Sequence, residues 1–389
     1  MMKEFKRLAI ISDCVHFMSP NGRPATENHI FLRQMEALAK YFSHTIICCP
    51  FVEFSDNKIY SEYSGPIAFY ATPNVGGNKV SDKITILKTI PAWLKVFKKI
   101  KKQSDCFYLR FPNNLNIPGF FYFNFTKHPL FASYTGTWKN YPGEPSTYRF
   151  QKYLLKHFFK GPVFAYLEKD EPKYHLYKTF SPSYFQETWE EESENVALKI
   201  KSLLEGKKDI PVFITVGAFN AQKNQQFILG ALKILHEKDI DYKCFLVGDG
   251  PLKQEYTAFI DVNKLTGKII LTGKLKADDL RKLYRDSNFL IQASLIEGYG
   301  KVPVEGYFHG VIPFLHKTQM TNVILDNGKC GFAFEANDPV IFAQFLKETI
   351  QQKSLLAEKI IAGRNFSKEL TLEKWSTRIV EAVQIFYES

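Results

Sequence analysis

Residues 289–314 read FLIQASLIEGYGKVPVEGYFHGVIPF, and no other stretch of the chain restricts its fold so strongly. An apolar run from Phe289 to Ile291 reads as a buried strand, and a second begins at Val311. Between them lie a loop with Glu297, Gly298 and Gly300 and a helix, starting near Val302, that carries Glu305 on its first turn. Strand, loop, helix and strand in this order make a βαβ unit of a parallel sheet. Free N–H groups and the helix dipole face the loop, which makes it an anion site. Glu297 and Glu305 flank that site, eight positions apart. Carboxylates do not bind phosphate but do bind sugar hydroxyls, so the pattern suits a nucleotide sugar. An ordinary βαβ unit whose acids merely favour a helix start is the plainer alternative.

At 389 residues the chain is too long for one typical core and suggests two domains. Both halves alternate short apolar strands with amphipathic helices, the pattern of parallel sheets covered by helices on both faces. Expected strands in the first half are 8–12, 45–49, 67–71, 106–110 and 130–134, with a helix over about 26–41. In the second half they are 212–216, 243–247, 268–271, 289–291 and 311–314, with helices near 224–237, 252–261, 277–285 and 302–309. A polar, acidic segment from Ser181 to Asp209, with a short helix at Val196–Leu204, separates the halves. The expected domains are therefore 1–190 and 191–370, and a last helix in 371–389 is able to pack back on the first.

The net charge of +11 is unevenly placed: residues 1–190 hold 25 Lys and Arg against 15 Asp and Glu, a net of +10. The remaining 26 basic and 25 acidic residues leave +1. Nucleic acid, an anionic membrane or an anionic substrate would each account for such a half. Cys14, Cys48, Cys49, Cys106, Cys244 and Cys330 show no metal-ligand spacing and suit reduced thiols of a cytoplasmic protein. The N-terminus MMKEFKRLAIISD lacks the long apolar core of a signal peptide.

The second half opens with FITVGAFNAQKNQQFI, where strand, Gly217, a short loop, Lys223 and a helix are arranged as in phosphate sites. The P-loop pattern GxxxxGK[ST] is absent. The next strand ends in VGDGP, with Gly248 and Gly250 in a tight turn before Pro251, and IILTGKL ends at Gly273. Three glycine turns at successive strand ends place a ligand crevice along that edge.

Taken together, VGAFNAQKN, FLVGDGP, LTGKL with LRKLYRDSNFLIQAS, and EGYGKVPVEGYFHGVIPF resemble the donor domain of retaining glycosyltransferases of family 4 (glycosyl transferases group 1). The resemblance covers roughly residues 212–337. It implies an α/β GT-B fold, two Rossmann-like domains facing a cleft, and a nucleotide-diphosphate sugar as co-substrate, with no cofactor and no metal. Carried over, Glu305 binds the donor's ribose hydroxyls. Glu297, with the backbone of Gly298, Tyr299 and Gly300, contacts the donor sugar, and Lys223 neutralises the diphosphate beside Gly217, Gly248 and Gly273. The expected catalytic residues are Glu297, Lys223 and Lys301.

Two departures stand out. Ala218 replaces the Arg usual after the strand glycine, and Lys301 stands where many members are apolar, either restoring the lost charge or as a surface lysine. Thr135 occupies the place of a first-domain His, after the strand in PLFASYTGTW; its hydroxyl or the Trp138 indole are candidate replacements, while His128 suits a solvated turn.

The loop SPNGRPATENH, with Asn21-Gly22 as turn, is either a cleft loop of the first domain or an ordinary βα connection. The stretch Ile90–Lys102 reads as a helix with Lys95, Lys98, Lys99 and Lys102 on one face and Trp93 at its start. Such a helix lies on an anionic membrane or is packed with a solvated basic face. Asp239-Ile240-Asp241 is a DxD tripeptide away from the strand ends and reads as a solvated turn.

The expected activity is transfer of a sugar to a saccharide or lipid-linked saccharide acceptor, in surface polysaccharide synthesis. A nucleotide-sugar epimerase shares the architecture. A non-catalytic nucleotide or nucleic-acid binding protein would explain the basic half, but two Glu residues at the phosphate edge would repel nucleic acid.

Overall fold

The computed structural model describes residues 6–56, 59–76, 80–205 and 210–388. The N-terminal MMKEF and the end of the acidic segment, 206–209, lie outside them. The chain forms two units, Met1–Ser183 with Leu372–Ser389, and Tyr184–Thr371.

The first unit runs β1 (Arg7–Ile11), β2 (Phe17–Met18), β3 (Pro24–Thr26), α1 (His29–Ala39), β4 (His44–Pro50), β5 (Ser61–Glu62), β6 (Ile67–Thr72) and α2 (Val80–Lys101). It continues with β7 (Cys106–Phe111), α3 (Asn116–Phe123), β8 (Leu130–Tyr134), α4 (Ser146–His157), β9 (Val163–Ala165) and β10 (Leu176–Lys178). Seven strands make a parallel sheet in the order β10-β9-β8-β7-β1-β4-β6. Helices cover both faces, so the inner strands read as unbroken apolar runs such as LAII and TIICC rather than alternating. Each fully buried Ile, Leu or Phe of this core stabilises the unit by about 1.5–3 kcal/mol.

The second unit runs α5 (Gln186–Glu191), α6 (Ser193–Leu204), β11 (Val212–Val216), α7 (Gln225–Glu237), β12 (Lys243–Val247), α8 (Lys253–Val262), β13 (Ile269–Gly273) and α9 (Ala277–Asp286). Then follow β14 (Phe289–Gln292), α10 (Lys301–Phe308), β15 (Ile312–His316), α11 (Thr321–Ile324), β16 (Phe332–Phe334), α12 (Pro339–Thr349) and α13 (Lys353–Ser367). Its six-stranded parallel sheet has the order β13-β12-β11-β14-β15-β16. The last helix, α14 (Leu372–Glu388), packs against α1 and belongs to the first unit.

Two expectations change, and one open reading is decided. The helix expected from Thr26 starts at His29, because Pro24–Thr26 pairs as β3 in a small antiparallel sheet with β2 and β5, and Asn28 caps α1 by accepting from Phe31 N at 3.0 Å. The boundary falls after Ser183 rather than 190, because α5 is tied to α13: Trp189 Nε1 donates to Arg364 O at 3.0 Å, and the guanidinium lies 4.0 Å from the indole centroid. The basic stretch is the second half of α2, and its Trp93, Phe97 and Ile100 are buried in the core of the first unit. Trp93 is therefore a core residue, and with Lys95, Lys98, Lys99 and Lys102 exposed the stretch is a packed helix with a solvated basic face, the second of its two readings. No described helix is long and apolar enough to cross a membrane.

Candidate functional site

In each sheet the strand order reverses beside one strand, β11 in the second unit, and parallel α/β sheets hold ligands at the carboxyl ends of the strands there. The loops leaving β11 and β14 flank this point. After β11 the chain makes a single 3₁₀ turn, Ala221–Lys223, whose cap Asn220 accepts from Lys223 N at 3.0 Å. The two loops are stitched together: Leu295 N donates to Gln222 O at 2.9 Å, and Gln222 Nε2 donates to Ile296 O at 2.9 Å. This stitching brings Lys223 Nζ to 2.5 Å from Glu297 Oε2, across 74 residues of sequence.

Glu297 is held from a second side by Gln292, the last residue of β14, whose Nε2 donates to the same oxygen at 2.7 Å. Both partners of the ion pair are partly exposed, so the pair is worth about 1 kcal/mol or less and opens readily to a competing anion. Gly300 caps α10 at φ +79°, and a Cβ there would come within 3.0 Å of Ile324, so only glycine turns the loop into the helix. Gln292, Glu297, Gly300, His316 and Thr318 line one small pocket. The His316 tautomer is fixed by Ala336 N, which donates to its Nδ1 at 3.0 Å.

The structure thus joins Gly217, Lys223, Glu297 and Gly300 in one place; the Lys223 stem lies 3.6 Å from where a Cβ of Gly217 would stand. Gly248 and Gly273 sit at the neighbouring strand ends, with Gly248 N donating to Gly273 O at 3.0 Å. Gly248 is glycine for a packing reason, since a Cβ would fall 1.9 Å from Gly217 O. Tyr299 is buried, so its backbone rather than its ring is available to a ligand, and Gly298 lies half-buried beside it. Lys301 is the first residue of α10 and does not line the Glu297 pocket.

Glu305 lies in the second turn of α10, not the first, and is only 6% exposed. Tyr284 of α9 donates its hydroxyl to Glu305 Oε2 at 3.0 Å, and burial pushes that phenol's pKa well up. Tyr284 lies 21 residues away in another helix, and nothing in the spacing announces the pairing. Gln292 left a weak sign, a polar residue ending an apolar strand.

The first-unit candidates are dispersed. Asn21 and Gly22 form the tip of the β2–β3 hairpin, Gly22 at φ +72°, and Asn21 Nδ2 donates to Glu62 Oε1 at 2.9 Å. Thr135 Oγ1 donates to Phe111 O at 3.1 Å, and Trp138 packs edge-on against Tyr134 at 5.4 Å. His128 is half-buried with its ring edge-on to Phe107 at 5.5 Å, not a freely solvated turn. Asp241 pairs with Lys268, and Asp239 takes the left-handed conformation (φ +55°) that ends the turn after α7.

The two parallel α/β units are those of the GT-B fold, and comparisons with known proteins show the same fold. Residues 198–366 match the family model for glycosyl transferases group 1. Over 196 residues the chain is 29% identical to an uncharacterized glycosyltransferase, MJ1178, of Methanocaldococcus jannaschii, covering 49% of this chain and 54% of that one. The chain thus spans about half the length of that curated relative. Sucrose-phosphate synthase from Thermosynechococcus elongatus has the same fold, with TM-score 0.73 at 14% identity over 99% of this chain and 100% of that one. Anabaena Alr3699/HepE, solved with UDP and glucose, superposes with TM-score 0.69 at 12% identity over 97% and 99% of the two chains.

Proposed function

We propose that the protein is a retaining glycosyltransferase that takes a nucleotide-diphosphate sugar as donor. The observation that carries this reading is the meeting of Lys223 and Glu297 at the carboxyl edge of the second sheet, beside the glycine-capped start of α10. Breaking the anomeric carbon–oxygen bond to the diphosphate leaves positive charge on the sugar and negative charge on the leaving group. Lys223, Lys301 and the N–H groups opening α10 stabilise that negative charge, usually the largest catalytic contribution. The carboxylate of Glu297, oriented by Lys223 and Gln292, takes sugar hydroxyls or faces the developing positive charge. The leaving phosphate oxygen accepts the acceptor's proton, so no separate general base is required.

Glu305 takes the ribose hydroxyls, with Tyr284 fixing its carboxylate. Likeness to a fold solved with UDP and glucose supports a nucleotide-sugar donor. The acceptor is a saccharide or lipid-linked saccharide in surface polysaccharide synthesis. The exposed lysines at the end of α2 support attraction to an anionic leaflet, about 1 kcal/mol for each Lys close to it.

The test is a product assay by NMR with a donor, a saccharide acceptor, and donor alone. An α-linked donor should give an α-linked product, and donor alone should keep its sugar configuration. Inversion at the anomeric centre would remove the retaining assignment, and epimerised donor without acceptor would replace transfer by epimerisation.

A further inference from the structure

The carboxyl edge of the first sheet holds a positive charge that no carboxylate among the described residues meets in an ion pair. Arg110, the fifth residue of β7, is half-buried, its guanidinium 4.8 Å from the Phe31 ring centroid and 5.8 Å from that of Tyr108. Its polar contacts are long and reach only neutral oxygens: 3.3 Å to the Tyr108 hydroxyl, and 3.4 and 3.5 Å to Gln34 Oε1. Among the described residues, no carboxylate forms an ion pair with it. Asp13, just after β1, feels its charge, but its side-chain partner is Asn113 Nδ2 at 3.5 Å. A guanidinium that has found its partner makes short bidentate bonds of about 2.7–2.9 Å. Arg110 has none, and the two aromatic faces repay only about 0.5–2 kcal/mol of its lost hydration.

The surroundings gather hydroxyls beside the guanidinium. Beside Arg110 a small pocket of about 10 Å³, room for one oxygen-sized group, is lined by Tyr108, Ser133, Thr135 and Thr179 together with apolar side chains such as Phe164 and Trp375, and no acidic side chain lines it. The Tyr108 and Ser133 hydroxyls bond to each other at 2.7 Å. The position repeats the logic of the second unit, since strand order reverses where β7 lies beside β1, at the carboxyl ends of the strands. The +10 charge of residues 1–190 favours an anion there.

The geometry points to an oxyanion site in the first unit, at which Arg110 grips a phosphate or carboxylate group with one oxygen in the small pocket beside the Tyr108 and Ser133 hydroxyls. Resting on the proposed transfer reaction, this makes the acceptor acidic, either a phosphate-bearing carrier or a saccharide with a carboxylate.

Calorimetric titration of the full chain with inorganic phosphate, and separately with glucuronate, tests the site. Lys223→Ala serves as the parent, so that the other candidate phosphate residue is removed. One of the two anions should bind the parent, and Arg110→Met added to it should weaken binding at least tenfold with little change in melting temperature. Arg110→Lys, which keeps charge but loses the planar fork, should fall between and replaces the Met variant if that fails to fold. Binding of phosphate alone identifies a phosphate-bearing acceptor, and of glucuronate alone an acidic saccharide. Binding of neither anion by the parent, or equal binding by parent and Arg110 variants, overturns the inference. A chain that binds the anion through Arg110 but no nucleotide sugar keeps the site and refutes the transferase reading.

Discussion

The two sheets are alike in topology and differ in how their carboxyl edges are made. The edge of the second is largely backbone: glycines at strand ends, N–H groups at a helix start, and one ion pair between Lys223 and Glu297. The edge of the first is side chain, with Arg110 between aromatic rings, hydroxyls on neighbouring strands, and a histidine buried among aromatics. A backbone site must keep its spacing in sequence, because glycine, loop length and helix start are fixed together. A side-chain site draws single residues from distant strands and needs no spacing at all.

The largest expected effect falls on the first unit and is read from stability. His16 is fully buried, its Nδ1–H donating to Cys14 O at 2.7 Å and its Nε2 accepting from Tyr63 hydroxyl at 2.9 Å. Burial holds its pKa down to about 4, against the hydrogen bond to Cys14 that raises it. The folded state thus binds fewer protons than the unfolded chain, and stability present above about pH 6.5 is lost as pH falls toward 4. Two and a half units correspond to about 3 kcal/mol. Urea unfolding across that window should show the loss, and His16→Phe should flatten it; an unchanged slope would take His16 out of the comparison.

Next comes Lys223→Ala, expected to lower kcat/KM about 100-fold by removing a charge aimed at the leaving group. Nearly full activity would show that backbone N–H groups alone hold the diphosphate. Lys301→Ala should cost about tenfold in kcat, or 1.4 kcal/mol, if Lys301 replaces the charge missing at Ala218. Wild-type turnover would make it a helix-surface lysine. The smallest effect belongs to Tyr284→Phe, which removes one buried hydrogen bond to Glu305 and should weaken nucleotide binding severalfold, about 1 kcal/mol. Unchanged affinity in calorimetry would show that Glu305 is held without it.

The same contrast explains what the sequence disclosed. Strands 130–134, 212–216 and 243–247 lie where the apolar runs put them, because strands buried on both faces must be apolar throughout. Glycine loops at strand ends put Lys223 and Glu297 along one edge, but their ion pair, across 74 residues, was not legible. The β2–β3–β5 sheet was hidden because two- and three-residue strands carry no period. The basic stretch of α2 stayed open between membrane and core because its charge is visible in sequence, whereas the face turned to the core is settled by packing. Arg110 and Tyr284 were silent, since Gln34 beside the one and Glu305 beside the other lie 76 and 21 residues away on other elements.

We infer that the second unit holds a nucleotide-diphosphate sugar through Glu305 and the Lys223–Glu297 edge. Melting curves of wild type and Glu305→Ala with UDP-, GDP-, ADP- and dTDP-sugars test it most directly. One donor should stabilise the wild type by about 2.7 kcal/mol at 100 times its Kd. Most of that shift should vanish in Glu305→Ala, since each charge-assisted bond to a ribose hydroxyl is worth about 1.5–3 kcal/mol. No shift with any of the four sugars, or an equal shift in the variant, would contradict the account.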